Sequence, residues 1–404
     1  MGARLTARLD ARRREFLRQS FGALGWLLTG STLVQCRRAY EQGSADAAIG
    51  RFGPLQAPDE NGVRLPAGFR SRILAESGQA VAGSEYDWHP APDGGAVFPM
   101  PDGGWVYVSN SEASSHGGGG TGAIRFDAKG QIVDAYPILS GTTMNCAGGA
   151  TPWGSWLSCE EFELGRVWEC DPKGKEPAKP LPALGVFTHE AIAVDPERGH
   201  LYLTEDRPDG CLYRFRPRGA HGGRLDLSAG TLEVAQVLGE GPEGMLRWHP
   251  VPDPAAGSVP TRAQVAQSTR FDGGEGLWYH EGVLFLSTKG DDRIWAYEIA
   301  SSRLSILYDA SKSSNPILSG VDNLTMAPQG DLLVAEDGGD MQIVAIAPDR
   351  SLSPVLQVVR QPWSEITGPA FDPSGRRLYF SSQRGAFPLT KTGITYEVTG
   401  PFGG

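Results

Sequence analysis

Polar residues recur in this chain at matched intervals, each pair bracketing a short apolar segment. Asn145-Cys146 precedes Glu160-Glu161, and His189-Glu190 precedes Glu205-Asp206. Glu275 precedes Lys289 and Asp291-Asp292; Asp322-Asn323 precedes Glu336-Asp337; Glu365 precedes Gln383-Arg384. Cys146 to Glu161 and Glu190 to Glu205 both span 15 positions, Glu275 to Lys289 and Asp322 to Glu336 span 14, and Glu365 to Gln383 spans 18. If each intervening segment is a β-hairpin, its two polar ends lie together. Repeated around an axis, such ends would gather many carboxylates in one mouth. Like charges packed together raise each other's pKa unless something neutralises them. A cluster of cations is the simplest neutraliser. Hard cations such as Ca²⁺ take six to eight oxygen ligands, whereas a thiolate at Cys146 favours a transition metal. The candidate metal ligands are therefore Cys146, Glu161, Glu190, Asp206, Glu275, Asp322, Glu336 and Glu365. Any one of these acids alone reads as a turn or cap residue; the recurrence argues for metal. His189 is expected to orient its neighbour Glu190, and Cys159, Cys170 and Cys211 to be structural.

The elements that would position these residues follow from a repeated phrase, a glycine turn followed by apolar residues. It begins at Gly104, Gly154, Gly199, Gly282, Gly330 and Gly375, with separations of 50, 45, 83, 48 and 45 residues. A period near 45 with short strands is the signature of a propeller blade. Each copy has an apolar strand before the turn, such as Ala191–Val194, and a third after it, such as Ile294–Tyr297. Fourth strands are visible at Gln131–Val133 and Leu304–Leu307. The expected fold is all-β, a six-bladed β-propeller with four-stranded antiparallel blades. The long gap marks an insertion around 216–270. The first blade offers Asn110 and Glu112 at the corresponding strand end. With 54 glycines and 30 prolines, the composition argues against long helices.

Several function classes drop out. The formal net charge is −10, which disfavours nucleic acid. Residues 1–36 hold six arginines against Asp10 and Glu15, a surplus of +4, so the rest carries −14 and suits cations. There is no Gly-x-Ser-x-Gly elbow and no dinucleotide fingerprint. The run Gly117–Gly120 lacks the Lys-Ser/Thr pair of a phosphate-binding loop. At the N-terminus, Arg13-Arg14-Glu15-Phe16-Leu17 resembles a twin-arginine export motif and leads into the apolar run from Phe21 to Val34. That run is too short for a comfortable membrane span. Residues 1–47 read as an export signal and linker, with Cys36 as a candidate lipid anchor, and 48–404 as one propeller domain. The expected location is periplasmic or extracellular, the expected partners are the twin-arginine export machinery and a small substrate, and the expected state is a monomer without an integral membrane span. Cys36 falls in the leader, leaving four cysteines; folding before export makes disulfides among them unexpected.

The block Asn145-Cys146-Ala147-Gly148-Gly149-Ala150-Thr151-Pro152-Trp153-Gly154-Ser155-Trp156-Leu157-Ser158-Cys159-Glu160-Glu161 resembles the signature of the PhoX-type alkaline phosphatases. His189-Glu190, Glu275-Gly276 and Glu365-Ile366-Thr367-Gly368 are similar to later elements of that pattern, in the same order. The resemblance covers roughly residues 85–390. It implies hydrolysis of phosphomonoesters by an iron–calcium cluster in the mouth of a six-bladed propeller. It also implies Fe³⁺ ligands at Cys146, Glu190 and Glu275 and Ca²⁺ ligands at Asp206, Asp322 and Glu365. Lys289 and Arg384 are the basic side chains expected to steady phosphoryl charge as catalytic residues. The chain departs from the pattern at Gly273, where the family carries arginine. Two alternatives are a calcium-dependent lactonase or esterase similar to the gluconolactonase propellers, and a non-enzymatic binding propeller.

Overall fold

The computed structural model describes residues 51–386 and 392–403. The twin-arginine motif, Cys36 and the boundary at residue 47 lie outside them. The described chain is built of strands; its helical content is three short 3₁₀ turns at Pro182–Leu184, Thr261–Ala263 and Ala310–Lys312. No helix among the described residues is long and apolar enough to cross a membrane.

The strands form six antiparallel blades. Their innermost strands, in chain order, are Pro92–Pro99, Asn145–Ala150, His189–Asp195, Gly274–His280, Val321–Met326 and Ile366–Phe371. Each turns back into a second strand: Trp105–Ser111, Trp156–Glu160, His200–Glu205, Val283–Thr288, Leu332–Glu336 and Arg377–Ser382. The six glycine turns of the sequence repeat are these six hairpins. Second strands are buried almost throughout because neighbouring blades cover both faces of each sheet. Every residue of Trp105–Ser111 and Leu332–Glu336 is buried.

Neighbouring inner strands touch in order round the axis, and the last touches the first, so the ring is closed. The outer strand of the sixth blade comes from the other end of the chain: Arg70–Glu76 pairs with Ile394–Thr399. Buried Glu397 lies between Arg72 at 2.8 Å and Arg377 at 2.9 Å. Across the seam with the first blade, Trp105 Nε1 donates to Tyr379 Oη at 2.9 Å, and the Tyr107 and Tyr379 rings lie 5.1 Å apart. Val63–Arg64 adds a fifth strand to the fifth blade. Closure of this kind leaves few free sheet edges.

Within the expected insertion, Gly230–Leu238 is the ordinary outer strand of the third blade. The added pieces are a small hairpin at Ala220–Leu225, a strand at Gly244–Pro250 and the loop that follows. Gly244–Pro250 also pairs with the start of Arg303–Asp309, so the third and fourth blades share one nine-stranded sheet. Cys146, Cys159, Cys170 and Cys211 are free thiols.

Inner strands approach one another closely, which is why they are rich in glycine and alanine. They surround an axial cavity of about 420 Å³. A Cβ on Gly276 would stand 2.7 Å from both the Asp322 carbonyl oxygen and the Leu324 amide nitrogen of the next blade. Gly276→Ala should therefore push the fourth and fifth blades apart at the level of Asp322. The expected loss is ~1–3 kcal/mol of stability, read from denaturant unfolding, together with weaker metal retention.

Candidate metal centre

A shared local device aims the inner-strand residues at the axis. In the first five blades the register with the second strand slips by one residue just after the first pairing. Two inner-strand residues then oppose one. The first of the two is Asp93, Cys146, Glu190, Glu275 or Asp322. A bulge bends the strand and re-aims a side chain, so five blades direct an acid or a thiol inward by the same means. In the sixth blade the bulge falls later, between Thr367 and Ala370, and the carboxylate is Glu365, just before the strand. Ala91 and Met144, which lead into the first two inner strands, take left-handed φ values of 46° and 50°. Non-glycine residues held this way cost ~1–2 kcal/mol each.

A second ring stands beside the first. The residue after each second strand donates its amide to the carbonyl just before the inner strand. These bonds are Glu112 to Ala91 at 3.0 Å, Glu161 to Met144 at 2.7 Å and Asp206 to Thr188 at 3.2 Å. The others are Lys289 to Gly273 at 2.8 Å, Asp337 to Gly320 at 2.7 Å and Gln383 to Glu365 at 3.1 Å.

Side chains alternate along a strand, so the preceding residue has a different task. Glu160 accepts from the amides of Thr143 and Arg166 at 3.0 and 3.2 Å. Glu205 accepts from the Tyr213 hydroxyl at 2.7 Å and the Cys211 amide at 3.2 Å. Glu336 accepts from the amides of Ser319 and Gln342 at 3.1 and 2.9 Å. Glu336 is thus a loop clamp rather than a member of the centre, and Asp337 takes the inward position. The sequence intervals are right to within one residue, but one residue reverses the face.

Three groups of ligand atoms lie within 4.8 Å of one another: Cys146 with Glu161 and Glu190; Asp93 with Glu112 and Glu365; and Glu190 with Glu275 and Asp322. Six of the eight predicted ligands are brought together. Glu275 joins Asp322 rather than Cys146, and Asp206 lies outside the groups, 3.8 Å from Lys289. Asp93 is absent from the sequence-based set because Pro92-Asp93-Gly94-Gly95 reads as a turn. The available signal was its place in the repeat, one blade before Cys146.

Neighbours fix the ligand-bearing backbone. Asn110 Nδ2 donates to the carbonyls of Cys146 and Ala147 at 3.1 and 2.7 Å. Asn145 Nδ2 donates to Ser158 Oγ at 2.9 Å. Asn323 accepts the Gly368 amide and donates to Asp322 Oδ1, both at 2.7 Å. Gln383 Nε2 donates to Asp93 and to Glu112, the latter at 2.7 Å. His189 bonds the Gly185 carbonyl at 3.1 Å, stacks on Phe187 and stands outside the three groups.

Among the described residues, two cations share the mouth. Lys289 Nζ is 2.6 Å from Glu275, 3.2 Å from Asp337 and 3.8 Å from Asp206. Arg384 Nη2 is 2.7 Å from Glu365 and 3.9 Å from Glu112. They do not balance the acids. Burial, then the neighbouring carboxylates, push Glu161, Glu190 and Glu275 well above the usual carboxylate range. Burial, then Glu112, raises Asp93 to about 7. Burial, then Asp93 and Glu190, raises the Cys146 thiol. Asp337 is the exception: burial pushes it up, but Lys289 and other donors bring it down to about 2. Both carboxylate oxygens of Glu190 are buried without a hydrogen-bond partner. A buried carboxylate in that state is costly, and a bound cation removes the cost.

Two predictions follow from this arrangement. Glu336→Gln should leave metal content unchanged, while setting an amide N–H against backbone donors at a cost of ~1–3 kcal/mol. Glu161→Gln should instead lower metal content; elemental analysis beside unfolding curves separates the two. In metal-stripped protein, Asp93 is ionised at ~3.9 when unfolded and at about 7 when folded. The folded state holds the extra proton in that window, so this contribution to stability is full below it and lost as pH rises through about 7. The melting-temperature gap between chelated and calcium-loaded protein should widen across the same window.

Residues 115–385 match the family described as alkaline phosphatase PhoX. No protein of curated function matches the sequence at a significant level. Among solved structures, the chain is similar to Pseudomonas fluorescens PhoX in complex with vanadate, a transition state analogue. The identity is 18% and the TM-score 0.72, over 87% of this chain and 98% of that one. It is also similar to a Bacteroides thetaiotaomicron protein of unknown function, at 8% identity and TM-score 0.50 over 82% and 76% of the two chains. A gluconolactonase from Xanthomonas campestris follows at 14% identity and TM-score 0.49, over 87% and 99%. The family match spans more than half of the chain and contains Cys146, Glu161, Glu190, Glu275, Asp322 and Glu365. The chain belongs to the alkaline phosphatase PhoX family.

Proposed function

We propose that the protein hydrolyses phosphomonoesters at the propeller mouth, using iron and calcium held by the three residue groups. The observation that carries this reading is Glu190, fully buried, both oxygens unpartnered, and shared by two of the groups. The donor sets suit different ions. Cys146, Glu161 and Glu190 combine sulfur with carboxylate and would hold iron. Asp93, Glu112 and Glu365, and likewise Glu190, Glu275 and Asp322, offer only oxygen and would hold calcium. When bound, these ions supply Lewis acidity toward the phosphoryl oxygens.

The chain's own groups do the rest. Arg384 keeps guanidinium donors beyond the one on Glu365, in a planar fork that matches phosphoryl oxygens. Its backbone amide is held by Ser364 Oγ at 2.9 Å. Gln383 ties Asp93 and Glu112 together at the foot of the same wall. Charge that grows on the equatorial oxygens in the transition state meets donors already in place. The thiol of Cys146 weighs against a calcium-only lactonase. The substrate is a small phosphate ester, and the protein acts as a monomer. We further propose export by the twin-arginine route and action in the periplasm or outside the cell, with Cys36 as a candidate lipid anchor.

Cys146→Ala should remove iron and phosphomonoesterase activity together, measured by elemental analysis and release of p-nitrophenol from its phosphate ester. Full activity in that variant would sink the assignment.

A further inference from the structure

Lys289 differs from its counterparts in the second ring. Four of those six positions carry carboxylates, Glu112, Glu161, Asp206 and Asp337, and the sixth is Gln383. Lys289 stands between Asp206 of the third blade and Asp337 of the fifth. Its ammonium faces both of them and Glu275 of its own blade, at 3.8, 3.2 and 2.6 Å. An ammonium has three N–H bonds, and three carboxylates surround this one. Two of them lie within 3.2 Å and the third at 3.8 Å, so the ammonium is committed to the chain's own acids on three sides. Asp206 and Asp337 also belong to none of the three groups that could hold a metal ion.

We propose that Lys289 is a tethered cation that fills a fourth corner of the centre, where it excludes a metal ion and sets how many the mouth takes up. The inference rests on the metal-centre reading above and replaces the expected phosphate-contacting role of Lys289 with a positioning one. Physically, the corner has the makings of a hard-cation site. Its oxygens come from three blades. A lysine there supplies a single positive charge without an entropic cost of capture from solution. It also holds three adjacent blades in register before any ion binds. The consequence is a centre with three exchangeable positions and one permanent one.

The test is calcium stoichiometry of the full chain, stripped with chelator, reloaded with Ca²⁺ alone, dialysed and measured by native mass spectrometry. Lys289→Gln should bind one calcium ion more per chain than the wild type, and Lys289→Arg should bind the wild-type number. With Lys289 intact, Asp337→Asn and Asp206→Asn should each keep the wild-type number, because these acids face the lysine rather than a metal. An unchanged count in folded Lys289→Gln overturns the inference. So does the loss of one ion in Asp337→Asn or Asp206→Asn, which decides the matter even if Lys289→Gln does not fold. A wild-type protein that retains no calcium overturns the metal centre itself, and the inference with it.

Discussion

Repulsion among buried carboxylates on a common axis is the constraint around which this molecule is arranged. Radial closure brings six strand ends together, and five of them present an acid or a thiol at the same bulge position. Water is largely excluded from Asp93, Glu190, Glu275, Asp322 and Glu365. A centre of this composition is stable only with positive charge inside it. Lys289 and Arg384 supply part of that charge from the chain. Glu190, with neither oxygen satisfied, shows where the chain's own resources stop.

The remainder of the fold holds these groups in place against that repulsion. Blades pack through second strands that are buried almost throughout, so no blade can tilt without opening apolar surface to water. The N-terminal strand Arg70–Glu76 locks the sixth blade, and the aromatic seam of Trp105, Tyr107 and Tyr379 joins it to the first. Gly244–Pro250 ties the third and fourth blades into one sheet. The amides of Asn110, Asn145 and Gln383 then fix the inner strands at the level of the ligands. Membership of the alkaline phosphatase PhoX family fits a scaffold that gathers carboxylates at one mouth.

Different parts of this arrangement were legible in the sequence to different degrees. The glycine turns located all six hairpins, because a tight turn between apolar strands has a local chemical signature. The matched intervals picked out Cys146, Glu161, Glu190, Glu275, Asp322 and Glu365, whose side chains the fold brings into the three groups. Glu336 was placed on the wrong face, since spacing that is accurate to one residue cannot resolve a period of two. Asp93 was hidden in a glycine-rich stretch that resembles a turn. The outer strand of the sixth blade went unrecognised because its partner lies at the opposite end of the chain, beyond the reach of any local pattern.

The sequence by itself determined the repeat, the all-β class, the acidic character of the mouth and the presence of one thiol within it. These follow from composition and local periodicity, which act along the chain. Tertiary structure decided which acid of each pair faces the axis, how the ligands sort into three groups, and that Lys289 is enclosed by Glu275, Asp206 and Asp337. Those outcomes depend on the bulge in each inner strand and on the contact between blades distant in sequence. Both are settled only when the ring closes and every strand has found its register.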